Sequence, residues 1–279
     1  MQFNFKHILL LASILFTALA CKKDKVGYNY NEIRDYLFIS HTRTDVNPII
    51  NDAAQSIDYS KYDILMMGGD LASLSSENSG ALDYLDQFYN LASPTTLWAL
   101  GNHDYSNIAL LTSYTQRPTY YAYYEAGITY LVIDTQVDDC SIVGAQKMLF
   151  DQVTDTISAS SHLIIIHHKL IWMESHPILH NEINNISNGP AGTCNFCIFP
   201  NNYNAEIYPK LVQVQQSGIR VICIGGDIGF NVNEFEFTTG DGIVYLASGM
   251  NHLSPVNKVL TFQHSPSIEG LIWQFDTIQ

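Results

Sequence analysis

Short apolar runs recur along the chain, separated by longer stretches in which apolar residues have helical spacing. Most of the runs are continuous rather than alternating, which is typical of strands covered on both faces. Helical spacing predicts three helices, over residues 81–92, 143–157 and 207–216. Strands that alternate with helices indicate a layered α/β fold. The predicted strands cover residues 36–40, 63–67, 96–100, 130–133, 163–167, 220–224, 243–247, 258–263 and 271–275.

The last three predicted strands follow one another without helices, so we expect the sheet to finish in antiparallel pairs. No Pro/Gly/Ser-rich linker and no internal repeat interrupts the 279 residues, which predicts a single domain over 35–279. The formal net charge of −14 disfavours binding to a nucleic-acid backbone. An anionic substrate would therefore need local cations, either metal ions or a few placed arginines.

The N-terminus carries an export signal. Lys6 precedes an apolar run over residues 8–16 that is short for a membrane span and ends in small residues. We predict that residues 1–20 are a cleaved signal peptide. Leu-Ala-Cys at positions 19–21 resembles the bacterial lipoprotein box, which implies lipidation of Cys21, a polar tether over 21–34 and anchoring in the bacterial cell envelope. The alternative is an ordinary signal peptide with a chance cysteine.

Polar clusters follow most of the predicted strands. Ligand sites in open α/β sheets lie at the carboxyl ends of the strands. Any one of these clusters could be a simple turn, but together they predict one site at a common edge. The clusters cover residues 40–43, 68–70, 101–104, 167–168 and 225–227.

Several of these clusters occur in a familiar order. Gly-Asn-His-Asp at 101–104 follows an apolar strand and lies about 30 residues after the Gly-Asp pair at 69–70. A helix that begins near Gln146 then leads into an apolar strand closed by His-His at 167–168. From about residue 37 to 247 the chain resembles the calcineurin-like metallophosphoesterases. This resemblance implies a two-sheet β-sandwich flanked by helices.

The resemblance also implies a phosphoesterase centre in which two metal ions share an aspartate and clamp a phosphate. On this chain Asp70 would bridge the metals, while Asn102 and His167 would bind the second ion. His103 would act at the leaving group. Asp104, which completes the same motif, belongs with His103 in the implied catalytic set.

The first and last family motifs are altered in this chain. The first, normally Asp-x-His, is His41-Thr42-Arg43, and the last, normally Gly-His-x-His, ends in Asp227 and Gly229. His41 could still bind a metal, but arginine cannot, because it stays protonated. We therefore expect that one divalent metal site is retained. Mn²⁺, Mg²⁺ and Ca²⁺ suit its ligands at least as well as zinc or iron. Its predicted ligands are Asp70, Asn102, His167 and Asp227.

Arg43 offers a replacement for the lost ion. Its guanidinium could neutralise Asp70 and hold phosphoryl oxygens through paired hydrogen bonds. This makes Arg43 a predicted catalytic and substrate-binding residue together with His103. The other interpretation is a surface arginine left in a decayed site.

Other candidates have weaker support. Cys194-x-x-Cys197 predicts a local disulfide rather than a zinc site, because no second pair accompanies it. Asp45 is either a replacement ligand or the cap of the next turn. One of the adjacent residues His167 and His168 should be packed or hydrogen-bonded, because neighbouring strand residues point to opposite faces and so rarely bind the same metal. Further candidates for the rim of the site are Glu174, His176, His180 and His252.

Two functions remain open at this stage. The first is a metal-dependent phosphoesterase that hydrolyses a small phosphomonoester or phosphodiester outside the cytoplasm. The second is a phosphoesterase scaffold that has lost its dinuclear centre and binds a ligand or partner. Serine hydrolase chemistry has no support, because the chain contains no Gly-x-Ser-x-Gly elbow. The metal content of the protein separates the two open functions.

Overall fold

A computed structural model describes residues 32–278. The predicted signal peptide, Cys21 and the tether up to residue 31 lie outside the described residues, so the lipidation of Cys21 stays a prediction. Among the helices that the structure describes, none has the length and apolar character needed to cross a membrane.

Eleven strands form two sheets in the described part of the chain. The five-stranded sheet has the order β11-β10-β1-β2-β3, and the six-stranded sheet has the order β4-β5-β6-β7-β9-β8. Strands β1 to β3 are parallel, as are β5, β6, β7 and β9. The strands are β1 (Arg34–Ile39), β2 (Ile64–Met67), β3 (Thr96–Trp98), β4 (Tyr121–Glu125), β5 (Ile128–Val132), β6 (His162–His167), β7 (Arg220–Gly225), β8 (Glu234–Thr238), β9 (Val244–Ser248), β10 (Asn257–Ser265) and β11 (Gly270–Ile278).

The helices lie in the connections between these strands. A short π-helical turn, Tyr203–Ile207, leads directly into the last helix. The α-helices are α1 (Asp52–Gln55), α2 (Ser79–Tyr89), α3 (Ile108–Thr115), α4 (Gly144–Thr156), α5 (Ile183–Ile186) and α6 (Tyr208–Gln216).

The two sheets pack face to face and bury a shared core. Side chains from both sheets meet there, including Phe38, Met66 and Ile164. The outer face of the five-stranded sheet packs against α2 and α3, and that of the six-stranded sheet packs against α4 and α6. Because both faces are covered, every residue of β2 and β6 is buried. The predicted two-sheet sandwich flanked by helices is confirmed.

All nine predicted strands are present, with ends shifted by a few residues. Strands β4 and β8 were not predicted, because both alternate between half-buried and exposed residues at the edge of the sheet. The antiparallel finish is confirmed for β10 and β11. β9 lies in the other sheet, where it pairs parallel to β7 and antiparallel to the unpredicted strand β8 rather than with β10.

Candidate active site

The two sheets approach each other closely where β2 and β7 end. Gly68 follows β2 and Gly226 follows β7, and a side chain on Gly226 would clash with the carbonyl oxygen of Gly68. The hydroxyl of Ser40, just after β1, donates to the carbonyl oxygen of Gly226 at 2.8 Å. Polar residues that follow strands of both sheets are therefore gathered at one edge, as the sequence pattern predicts.

Asp70 lies at the centre of this edge, with 2% of its surface exposed. The backbone N–H of His103 donates to its Oδ1 at 3.0 Å. Three side-chain nitrogens also surround the carboxylate, with Nε2 of His41 and Nε2 of His168 each at 3.6 Å and Nε of Arg43 at 3.7 Å. Burial would raise the pKa of Asp70, but the nearby histidines outweigh it and lower the pKa below its ordinary value. Asp70 is thus a buried carboxylate in an environment that favours its charged form.

Asp227 supplies a second buried carboxylate. Its Oδ1 lies 3.7 Å from Nε2 of His168, so this one imidazole stands between Asp70 and Asp227. Burial raises the pKa of Asp227 to about 6. Burial alone would lower the pKa of His168, but the two carboxylates outweigh it and raise the pKa above its ordinary value. Nε2 of His168 and Oδ2 of Asp227 are both buried without a hydrogen-bond partner.

The ring orientation of His168 is fixed from its other nitrogen. Nδ1 lies 2.6 Å from the carbonyl oxygen of Gly68, which can only accept, so Nδ1 carries a proton and donates it. In the neutral ring the lone pair then sits on Nε2, the atom that faces the two carboxylates. His168 would therefore act as a ligand through Nε2 once a cation replaces the proton that the two carboxylates favour there.

The placement of His167 as a metal ligand needs correction, because the structure puts His168 in that position. His167 hydrogen-bonds the carbonyl oxygen of Lys169 through Nδ1 at 2.7 Å and packs edge-on against Trp172. Side chains alternate along a strand. His167 continues the face of Ile165, which packs with the helix-covered core, and His168 comes out on the opposite side.

Asp104 also has a different role from the predicted one. Its carboxylate is fully buried and accepts the backbone N–H groups of Gly101 at 2.7 Å and Asp70 at 2.8 Å. It also accepts the N–H of Leu71 at 3.2 Å and the hydroxyl of Ser75. Asp104 therefore holds the turn at Asn102–Asp104 against the loop of Asp70, and we regard it as a positioning residue.

A cavity of about 260 Å³ opens beside the cluster. It brings together the predicted residues His41, Arg43, Asp70, Asn102, His103 and Asp227. No motif in the sequence pointed to the other four lining residues, which lie in the loops after α5 and β7. Those four are Asn188, Gly189, Phe196 and Phe230.

The comparisons with known proteins show the family of this chain. The family model described as calcineurin-like phosphoesterase matches residues 41–197, which is more than half of the chain. The chain belongs to the calcineurin-like phosphoesterases. A comparison with curated proteins gives no match.

Several solved structures are similar to this chain at low sequence identity. A dimetal phosphatase from Danio rerio is similar with a TM-score of 0.50 and 12% identity, covering 88% of this chain and 98% of that one. A 5′-nucleotidase precursor from Thermus thermophilus gives 0.44 and 10%, covering 88% of this chain and 54% of that one. Phosphopantetheinyl hydrolase from Mycobacterium tuberculosis gives 0.42 and 12%, covering 77% and 89%.

The last family motif is vacant in this phosphoesterase for a structural reason. Gly229 has φ +136°, a conformation that side-chain-bearing residues rarely adopt. A Cβ at this position would also clash with the carbonyl oxygen of Met250. A histidine at 229 therefore does not fit this backbone unless the loop shifts.

The first family motif keeps both of its altered side chains in the cluster. His41 hydrogen-bonds the carbonyl oxygen of Met250 through Nδ1 at 3.1 Å, and burial lowers its pKa to about 3, so the ring is neutral. The side chain of Arg43 is 14% exposed, and its Nε is buried without a hydrogen-bond partner. Arg43 is thus part of the site and not a surface arginine.

His103 reaches the cavity with one nitrogen free. Its Nδ1 hydrogen-bonds the carbonyl oxygen of Ser73 at 2.7 Å. Nε2 is therefore the ring nitrogen that remains for a substrate, and the place of His103 beside the leaving group stays a prediction.

The weaker candidates have other partners. Cys194 and Cys197 form the predicted local disulfide, which places Phe196 in the cavity wall. Asp45 is exposed and pairs with His252 at 3.3 Å. The residues that line the cavity do not include Asp45, Glu174, His176, His180 or His252.

Over residues 32–278, no group of three or more His, Cys, Asp or Glu side chains is arranged to hold a metal ion. The groups that would hold a metal ion in this phosphoesterase include the unpaired buried atoms of His168 and Asp227 and the amide of Asn102.

Proposed function

We propose that this calcineurin-like phosphoesterase hydrolyses a small phosphate ester with one divalent metal ion and Arg43. The observation that carries the proposal is the convergence of Asp70 and Asp227 on Nε2 of His168. Unpaired polar atoms in a protein interior are costly unless a partner satisfies them. A cation bound between these groups would satisfy them together.

The chemistry of the donors fits a hard divalent ion. Two carboxylates, one amide oxygen and one imidazole suit Mn²⁺, Mg²⁺ or Ca²⁺ at least as well as zinc or iron. When bound, such an ion would supply Lewis acidity to a phosphoryl oxygen. The residues that would hold it are Asp70, Asn102, His168 and Asp227.

Arg43 would supply the second positive charge. Its guanidinium is always protonated and matches the geometry of phosphoryl oxygens. The Nε of Arg43 lies 3.7 Å from Asp70, and the same side chain lines the cavity, so the guanidinium would serve the carboxylate and an anion in the cavity together. His103 would exchange a proton with the leaving oxygen through Nε2.

A catalytically reduced scaffold that binds a ligand is the second candidate function. It is favoured by the vacant position at Gly229 and by the absence, over residues 32–278, of a three-residue metal cluster. The same charged cavity would then hold a phosphate-bearing ligand without turnover.

Hydrolysis of para-nitrophenyl phosphate and its bis ester separates the two functions. We expect hydrolysis that a chelator abolishes and Mn²⁺ restores, and loss of both metal and turnover in Asp70→Asn. Asp52→Asn, at an exposed position in α1, is the matched control. Metal binding and turnover that persist in Asp70→Asn would show that the site is assigned wrongly, and wild-type protein without turnover would favour the scaffold.

We also propose that the protein is exported and lipid-anchored through Cys21. The support is the apolar run that ends in Leu-Ala-Cys at 19–21. Mass spectrometry of the N-terminal peptide from native membranes tests this, and we expect an acylated Cys21 at the mature N-terminus. An unmodified Cys21, or cleavage at another position, would contradict the proposal.

A further inference from the structure

Two phenylalanine rings line the same cavity as the charged cluster. Phe196 and Phe230 are 52% and 46% exposed, whereas most large apolar side chains of the sandwich are buried. Exposed rings at the rim of a polar cavity are typical of surfaces that contact a ligand. The proposed phosphate chemistry does not use them, so they need a separate explanation.

Both rings are held by the loops that carry them. The disulfide between Cys194 and Cys197 closes a short loop around Phe196, and Nζ of Lys169 donates to the carbonyl oxygen of Asn195 at 2.9 Å. Rigid, well-placed aromatic side chains lose little entropy when a ligand stacks on them. The Phe196 side is therefore organised before any ligand arrives.

Phe230 connects the aromatic side of the cavity to the charged side. Its backbone N–H donates to Oδ1 of Asn188 at 2.9 Å, and its ring packs edge-on against His41 with the centroids 4.9 Å apart. The guanidinium carbon of Arg43 lies 5.7 Å from the centroid of the same ring. The apolar wall thus begins directly beside the arginine that would hold the phosphoryl group.

We infer that the cavity selects phosphate esters whose organic part carries a flat heteroaromatic ring, as in a nucleoside monophosphate. This inference rests on the proposed phosphoesterase function. With the phosphoryl group beside Arg43, a ring attached through a short spacer would reach Phe230 and Phe196 and stack there. The volume of about 260 Å³ lies near the lower end of ligand pockets, which favours a small ester.

The matched probes are adenosine 5′-monophosphate and ribose 5-phosphate. Both are esters of the same primary hydroxyl group, so their intrinsic reactivities are similar, and they differ in the base. Stacking of one base on aromatic side chains is typically worth about tenfold or more in affinity. We expect kcat/KM for the nucleotide to exceed that for ribose 5-phosphate by about tenfold in the wild-type protein.

Variants then assign this preference to the two rings. We expect Phe196→Ala and Phe230→Ala to reduce the ratio several-fold, and Phe196→Tyr and Phe230→Tyr to retain it, because tyrosine keeps the ring. Tyr124→Ala, which removes an exposed aromatic side chain outside the cavity, is the control and should leave the ratio unchanged. Equal kcat/KM values for the two probes, or an unchanged ratio in both alanine variants, would overturn the inference.

Calorimetry compares the binding of adenosine 5′-monophosphate with that of ribose 5-phosphate. Because binding does not require turnover, it tests the role of the two rings separately from the proposed hydrolysis. Absence of hydrolysis of any phosphate ester would contradict the phosphoesterase. Tighter binding of the nucleotide than of ribose 5-phosphate would still support the ring inference in that case, and equal binding or none would overturn it. Hydrolysis of para-nitrophenyl phosphate without a preference between the two probes would overturn the ring inference alone.

Discussion

Arg43 occupies the position of a family metal ligand, and its largely buried side chain lies beside Asp70. Arginine cannot bind a metal ion, but it can neutralise a carboxylate and hold phosphoryl oxygens at the same time. The guanidinium also lies near the ring of Phe230, which lines the same cavity. At the scale of single residues, we therefore interpret this site as an exchange of one metal ion for one arginine.

Removing the Arg43 guanidinium should weaken phosphate binding and turnover. We expect Arg43→Ala to cost on the order of 2–3 kcal/mol in the binding of inorganic phosphate or in kcat/KM, because a charged hydrogen bond and a cation are lost together. Calorimetry and steady-state kinetics measure the two quantities. Arg220→Ala, at the exposed start of β7, is the control. An Arg43→Ala protein with wild-type phosphate affinity would mean that the charge is not used.

His168 and His167 give a matched pair of neighbouring residues. We expect His168→Gln to lower the affinity for Mn²⁺ by tenfold or more, because Nε2 faces both carboxylates. His167→Gln should reduce stability through its contact with Trp172 and leave the affinity for Mn²⁺ close to the wild-type value. Titration of each variant with Mn²⁺ decides this, and the opposite order of affinities would restore the assignment made from the sequence.

At the scale of secondary-structure elements, the site depends on how strand ends and loops are held. Asp104 ties the turn Asn102–Asp104 to the loop of Asp70, and Ser40 ties the end of β1 to the loop after β7. The loop after β7 contains Gly229, whose backbone conformation excludes a side chain. The backbone conformation of this loop therefore explains why the last family motif has no side chain at position 229.

A substitution at Gly229 tests that vacancy. We expect Gly229→Ala to lower the free energy of unfolding by about 1–3 kcal/mol, because the residue has positive φ and its Cβ would meet Met250. Gly240→Ala is the matched control, since a Cβ there meets no heavy atom within 4 Å. Urea denaturation measures both proteins. A Gly229→Ala protein as stable as the control would show that this loop can accommodate a side chain.

The sequence predicted the elements whose environment leaves a strong pattern. Fully covered strands such as β2 and β6 are continuous apolar runs, whereas the edge strands β4 and β8 alternate and contain polar residues. The alternation of side chains along β6 could also have identified His168 rather than His167 as the residue that faces the site. Ile164 and Ile166 point toward the other sheet, and His168 lies on the same side because it is two residues after Ile166.

Other features of the site leave no local trace in the sequence. The close approach of Gly229 to Met250, and the position of Phe196 and Phe230 around one cavity, bring together segments that are more than 20 residues apart in the chain. A sequence pattern describes the local environment of a segment, but it does not state which distant loop closes over it. For this reason Asn188 and the two phenylalanines were not predicted, while His41, Arg43 and Asp70 were.

At the scale of the whole molecule, the sandwich buries two histidines away from the site. His162 and His264 lie with their rings 6.4 Å apart, and both are 1% exposed. Burial lowers the pKa of each to about 4. His264 is held by the hydroxyl of Tyr36, whose oxygen lies 2.8 Å from its Nδ1. Both rings are therefore neutral in the folded protein under conditions in which the unfolded chain would protonate them.

Acid should therefore destabilise the sandwich through these two residues. These two histidines become protonated below about pH 6.5 in the unfolded chain, but only near pH 4 in the folded protein. Between these pH values the unfolded chain binds more protons, so the free energy of unfolding falls as the pH falls. We expect each histidine to contribute on the order of 1–2 kcal/mol to this loss. Urea denaturation at several pH values should show a smaller loss in His162→Gln and His264→Gln. A loss as large as in the exposed control His180→Gln would contradict this origin.

The metal content of the protein tests the central claim of one metal ion and one arginine. The measurement is elemental mass spectrometry of the full chain, purified without chelators, loaded with Mn²⁺ and then desalted. We predict one equivalent per chain, with Asp227→Asn well below one. Two equivalents would mean that the first metal site survives through ligands other than those assigned here. No retained metal would contradict the proposed enzyme and favour a ligand-binding scaffold.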